Sequence, residues 1–201
     1  MTDPTRAGND TSQRWWRRPA VGCLVAVSLA YVGLSVFLIV GRERAGSMGL
    51  ACAKNERTLA TALQLYVSDW GEFPVAHRWC DELSAYIAKS PNSGRDGAFR
   101  CPAAANRECS YALSSALSGT KATATAGQSD DHEPRAVAVF ESDAGWNAAG
   151  GSELLPNKPR HVGGDRYAFV DGSTAWVPRR KLPDGTWAKE PKEGYQVTWK
   201  P

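Results

Sequence analysis

The chain has 201 residues, with 24 Lys and Arg against 21 Asp and Glu. Of its net charge of +3, +2 lies ahead of residue 19 (Arg6, Arg14, Arg17 and Arg18 against Asp3 and Asp10). The remainder is almost neutral and offers no electrostatic case for a nucleic-acid partner. About 160 residues follow the N-terminal forty, the size of one domain with a real core.

Residues 1–18 are predicted to be a cytoplasmic tail, and the polar run MTDPTRAGNDTSQ (1–13) has no apolar periodicity to order it. Residues 19–40, PAVGCLVAVSLAYVGLSVFLIV, contain no charge. As a helix they reach about 33 Å, enough for the hydrocarbon core of a bilayer. The basic flank keeps the N-terminus cytoplasmic, and Trp15 and Trp16 suit the headgroup layer. A cleaved signal peptide is the rival reading, but its apolar region is about 7–15 residues and ends in a small-x-small site. This run is longer and leads into Gly41-Arg42-Glu43-Arg44, so retention is expected. Gly22, Ala26, Ala30 and Gly33 share one side of the span and would admit a second helix closely.

Beyond the span the helix is predicted to continue over 41–70, with Leu59, Leu63, Tyr66, Val67 and Trp70 on one face. Gly71 and Pro74 end it. Trp79, Leu83, Tyr86 and Ile87 repeat at helical spacing and predict a short second helix, stopped by Ser90-Pro91-Asn92-Ser93-Gly94. AFRCPAAANRECSYAL reads as an extended, irregular segment, and 118–134 as a loop with almost nothing to bury. Strand chemistry starts at Arg135. RAVAVFE alternates, RYAFVDGSTAWV places two runs around Asp171-Gly172 as a hairpin, and Asp184-Gly185 precedes a last strand at 195–199. The expected fold is α+β, a long helix packed on a small antiparallel sheet over about 135–199 whose other face meets solvent.

Cys23 lies in the span. Cys52, Cys80, Cys101 and Cys109 lie beyond it, an even set suited to disulfides in an oxidising compartment, with three pairings open. Zinc is the other use of four cysteines, but no Cys-x-x-Cys pair is present.

The run RERAGSMGLACAKNERTLATALQLYVSDWGEFP resembles the post-membrane helix of pseudopilin-like proteins of the type II secretion and type IV pilus superfamily. Their pattern of Cys-x-x-Asn, a Tyr, an acidic residue, Gly and Pro falls here on Cys52, Asn55, Tyr66, Asp69, Gly71 and Pro74. FRCP (99–102), SYAL, and a His, nine residues and Asp-Gly (His161 to Gly172) extend the resemblance over about residues 42–178. It implies a pseudopilin-like domain on the outer side of a bacterial inner membrane, working in a secretion or pilus-type machine and associating laterally with itself or other pilin-like chains. It also implies Cys52 bonded to Cys101, since both belong to the pattern, which leaves Cys80 with Cys109. The front departs from the family, because counting from Gly22 position five is Val27, and residues 19–40 hold no acidic residue. No prepilin peptidase site is recognisable, and an uncleaved membrane-anchored protein is expected rather than a filament subunit.

His161 and Asp171 of that motif, with Asp143 and Asp165, supply imidazole and carboxylates that could hold a divalent cation such as calcium. Against this, Asp171-Gly172 is what a hairpin turn wants, and a His before a strand readily bonds a neighbouring carboxylate or carbonyl. No cofactor is therefore expected. Neither is catalysis, since Gly-x-Ser-x-Gly, His-Glu-x-x-His and phosphate-loop patterns are all missing. His77 and His132 read as solvated, and the tryptophans beyond the tail as packing rather than a carbohydrate shelf. A membrane-tethered metal-dependent binder or enzyme is the alternative.

Overall fold

A computed structural model of the chain describes residues 14–87, 97–104, 108–122 and 135–199, with the backbone alone at 14–21 and 42–45. The expectations for 1–13, for the stop at Ser90–Gly94, for His132, for most of the 118–134 loop and for the side chains of Trp15 and Trp16 lie outside the described residues. The first helix, α1, runs Arg14–Trp70 and so takes in residues 14–18, assigned to the tail from sequence. The chain divides into two units, 1–45 and 46–201.

In the first unit the apolar side chains from Leu24 to Val40 are exposed, Phe37 at 74%. One helix is thus long and apolar enough to cross a membrane, near the N-terminus. Ser28 and Ser35 return their hydroxyls to the carbonyls of Leu24 and Tyr31, which satisfies those polar groups within the helix.

In the second unit α1 contributes a buried stripe of Cys52, Glu56, Leu59, Leu63 and Tyr66, spaced four-three-four-three. Gly71, at φ +70°, closes the helix by donating to the Val67 carbonyl. Trp70, placed on the apolar face from sequence, is 65% exposed and instead stacks on Tyr66 and donates to the Tyr86 hydroxyl. The short second helix, α2 (Trp79–Leu83), follows a 3-10 turn and buries Trp79 completely, with its indole donating to the Ala148 carbonyl.

Among the described residues seven strands follow: β1 (Tyr111–Ser114), β2 (Arg135–Glu141), β3 (Ala149–Gly150), β4 (Gly164–Phe169), β5 (Thr174–Lys181), β6 (Trp187–Pro191) and β7 (Val197–Thr198). Their order is β3-β1-β2-β4-β5-β6, with β7 added to β2. Pairing is antiparallel except for β1 with β3 and β2 with β7. The fold is α+β, but the sheet starts earlier than its sequence suggests. Tyr111–Ser114 is an interior strand, and its four residues are all buried, so no alternation marks it.

Both faces of the sheet are covered, which corrects the expected solvent face. Ala138, Val139, Ala168 and Val170 pack with the α1 stripe. Val137, Phe140, Tyr167, Phe169 and Val177 form a second core with Leu155, closed by Val197 and Trp199. A register shift between Val137 and Val139 goes with the consecutive Ala138 and Val139 both joining the helix-side core, while Val137 and Phe140 join the other. On β2 and β4 the alanines at 138 and 168 face the helix while Phe140, Tyr167 and Phe169 face away, so the helix can approach these strands closely and the far side needs its own cover.

The two Asp-Gly turns are built alike. Gly172 and Gly185 take φ +81° and +87°. Asp171 accepts from the backbone and hydroxyl of Ser173, and Asp184 from those of Thr186. Gly172 N–H donates to Phe169 and Gly185 N–H to Leu182, each a type I turn followed by a left-handed glycine. Only Gly172 faces the helix, where a Cβ would lie 3.2 Å from Gln64 Cγ, and Gln64 donates to the Val170 carbonyl at 2.6 Å. Gly185→Ala should therefore cost about 1–2 kcal/mol from backbone conformation alone, and Gly172→Ala measurably more, in chemical denaturation of the full-length protein.

Candidate functional site

The densest polar chemistry lies between α1 and the sheet. Cys52 on α1 is bonded to Cys101, 49 residues on in the sequence. Asn55, one helical turn later, donates to the Arg100 carbonyl at 2.5 Å, so helix and segment are joined twice. Under the disulfide lies His161, whose Nε2 is 3.4 Å from Cys101 Sγ and 2.8 Å from Glu141 Oε1. Cys52, Cys101 and Glu141 are at most 1% exposed and His161 is 7% exposed. The Sγ atoms, the imidazole nitrogen and a carboxylate oxygen all lie within 4.8 Å of one another.

Each side chain is aimed by its own element. Glu141 ends β2, opposite Tyr111, and its Oε2 accepts the Arg166 backbone N–H at 3.2 Å. His161 opens the turn His161-Val162-Gly163-Gly164, held by the Gly164 N–H on the His161 carbonyl and by the Trp176 indole on the same oxygen. Gly164 lies so close to β5 that a Cβ would sit 2.5 Å from the Val177 carbonyl oxygen. The glycine in the motif is thus a steric requirement of the turn that presents the imidazole.

Two buried groups complete the region. Glu56 is fully buried on the α1 stripe, and neither carboxylate oxygen has a hydrogen-bond partner. Burial, then the nearby Glu141, hold its carboxyl well above the usual range, with Arg166 opposing. On the opposite face Asp165 meets Arg179 at 2.5 Å, a contact of charge rather than an aligned hydrogen bond. Burial raises Asp165 to about 7 despite Arg179. Arg179 also donates to the Pro156 and Ala188 carbonyls through its two terminal nitrogens.

Of the four metal candidates read from sequence, only His161 belongs to this cluster. Asp171 is spent on its turn, Asp143 is paired with Arg160, and Asp165 is paired with Arg179. The four side chains therefore do not converge on one ion. Glu56, Glu141 and Arg179 were missed, although weak signals existed. Glu56 continues the Cys52, Leu59, Leu63 stripe, and Arg179 alternates in phase with buried Val177.

Cys80 and Cys109 form a separate buried pair with sulfurs 3.8 Å apart, two thiols in contact rather than the expected bridge. Cys109 donates to the Tyr111 carbonyl, and the Asn147 N–H donates to Cys80 Sγ. Burial pushes the Cys80 thiol up, which keeps it in the unreactive form.

No family model matches the chain, and no curated protein or solved structure is significantly similar to it. What the cluster can do rests on its own residues. In the oxidised state it is a disulfide lying over an imidazole–carboxylate pair.

Glu56 and Asp165 bind protons more tightly folded than unfolded, so their contribution to folding is fully present below their ordinary pKa values near 4 and is lost as pH rises through the raised folded-state values, about 7 for Asp165. The melting temperature of the full-length protein should fall by at least a few degrees between pH 5 and pH 8, and Glu56→Gln should flatten the profile. Alkylation before and after unfolding, followed by peptide mapping, should find Cys52 bonded to Cys101, with Cys80 and Cys109 protected until the chain unfolds.

Proposed function

We propose that this is a single-pass membrane protein of pilin-like construction whose work is structural and interactive rather than catalytic. The observation that carries this reading is the composition of α1. One helix holds an uncharged, exposed apolar stretch over 22–40 and then, in the second unit, the buried stripe on which a sheet is built. The resemblance of residues 42–178 to pseudopilin-like proteins supports it, as does the disulfide between the two cysteines of that pattern.

In this reading residues 19–40 anchor the chain in a bacterial inner membrane, with the N-terminus in the cytoplasm because Arg14, Arg17 and Arg18 lie ahead of the span. The C-terminal domain is extracytoplasmic, where a disulfide persists. The chain associates laterally with itself or with other pilin-like chains, beside a secretion or pilus-type machine. The uncharged span, with Val27 where filament subunits carry Glu, favours an uncleaved anchor. Exposed Leu50, Leu65 and Trp70 give the helix apolar side chains for contacts with neighbours.

Photo-crosslinking from Leu65 and Trp70 in native membranes, with identification of the captured chains, tests the reading. It expects an integral membrane protein that captures itself or other single-span chains with an amphipathic post-membrane helix. Recovery of the mature chain as a soluble species, or of a chain starting at Cys23, would overturn the uncleaved anchor.

A further inference from the structure

Two sulfurs, an imidazole nitrogen and a carboxylate oxygen converge from four separate parts of the chain: α1, the segment before β1, the end of β2 and the turn before β4. Disulfides need no imidazole or carboxylate beneath them. Burying an ionisable carboxyl is costly unless something compensates it, and Glu141 Oε1, completely buried, has no aligned hydrogen bond. Its other oxygen is held by the Arg166 N–H, which leaves Oε1 turned toward His161 Nε2 and the sulfurs.

We propose that, with the disulfide open, Cys52, Cys101, Glu141 and His161 form a zinc site, so that the bond and the metal are alternative states of the same four side chains. The inference concerns the chemistry of the cluster and does not depend on the membrane or pilin-like reading.

The donor set selects the ion. Calcium and magnesium take six or more oxygens, and here there is one carboxylate. Two thiolates, one imidazole and one carboxylate are a tetrahedral zinc set, and the hard carboxylate disfavours copper(I). The distances require little movement. Zinc bonds of about 2.0–2.3 Å place neighbouring donors about 3.2–3.8 Å apart. Nε2 already stands 3.4 Å from Cys101 Sγ and 2.8 Å from Oε1. Opening the bond lets the sulfurs part to such a separation. The outer contact of the carboxylate is in place too, with Glu141 held by the Arg166 N–H, and the turn that carries His161 is fixed through its backbone carbonyl. Gly49 of α1 lies over the ring, where a Cβ would be 3.8 Å from Nδ1.

The exchange balances with a dithiol as reductant. Its two thiols reduce the Cys52–Cys101 bond, giving two protein thiols and the oxidised dithiol as a disulfide. Zinc then displaces the two thiol protons and binds both sulfurs, Nε2 of neutral His161 and Oε1 of Glu141. The reverse step, thiol–disulfide exchange with a small disulfide, re-forms the bond and releases the ion.

The test uses the full-length chain in detergent micelles, either oxidised or reduced with a phosphine that is then removed, and titrated with cobalt(II) followed by zinc. The reduced protein should bind one cobalt per chain, with thiolate charge-transfer absorption and the intense visible bands of a tetrahedral site, and equimolar zinc should bleach both. Its melting temperature should rise with zinc, while the oxidised protein takes up no cobalt and melts unchanged. Cys80→Ser with Cys109→Ser should keep these bands, and Glu141→Gln and His161→Gln should each weaken binding at least about tenfold. The proposal is overturned if reduced wild type shows no tetrahedral spectrum, or if the Cys80/Cys109 double variant abolishes it. Neither comparison requires a Cys52 or Cys101 variant to fold.

Discussion

The covalent bond between Cys52 and Cys101 is the constraint on which the rest of the second unit depends. It closes a loop of 49 residues between helix and sheet, and cross-linking a loop of that length removes chain entropy equivalent to roughly 4 kcal/mol. The segment it captures precedes β1 in the chain, the strand flanked by β2 and β3, and Ser110 donates its N–H back to the Phe99 carbonyl. Fixing 101 against the helix therefore sets where the sheet meets α1, and the Asn55 amide on the Arg100 carbonyl repeats the same tie.

Packing then divides the labour between two faces. Alanines at 138 and 168 let the α1 stripe come close, while Phe140, Tyr167 and Phe169 point the other way and need their own cover. The C-terminal residues Val197 and Trp199 supply it, with Trp199 edge-on to Phe140 at 4.8 Å and also against Tyr167. A sheet enclosed on both sides makes buried ionisable groups costly, and each is handled differently. Arg179 donates to two carbonyls and lies against a carboxylate, Glu141 is shared between an N–H and an imidazole, and Glu56 relies on a raised proton affinity.

The two ends of the His-x9-Asp-Gly motif have separate roles in this fold. Asp171 and Gly172 build a turn that recurs as Asp184 and Gly185, so that end is explained by chain reversal. His161 lies under the disulfide beside Glu141. The spacing between them is the length of the turn at 161–164 plus β4 plus the reversal, which makes it a consequence of strand length.

Much of the architecture was readable in the residues. Charge-free composition marks 19–40, helical period marks the spine, Gly71 marks its end, and the Asp-Gly pair marks the β4–β5 hairpin, because these features depend on local backbone preference and on burial along one element. The interior strand at 111–114, the covered second face, the open Cys80–Cys109 pair and the meeting of Glu141 with His161 and the cysteines were not readable that way. Those depend on which residues distant in sequence are brought together, and a carboxylate reads the same in sequence whether it faces water or a sulfur. Sequence alone determined the apolar stretch, the spine helix that follows it, and the strands that flank the Asp171-Gly172 turn. Only the tertiary structure decided which polar side chains share an interior, because that follows from strand pairing, a register shift and one cross-link rather than from any local pattern.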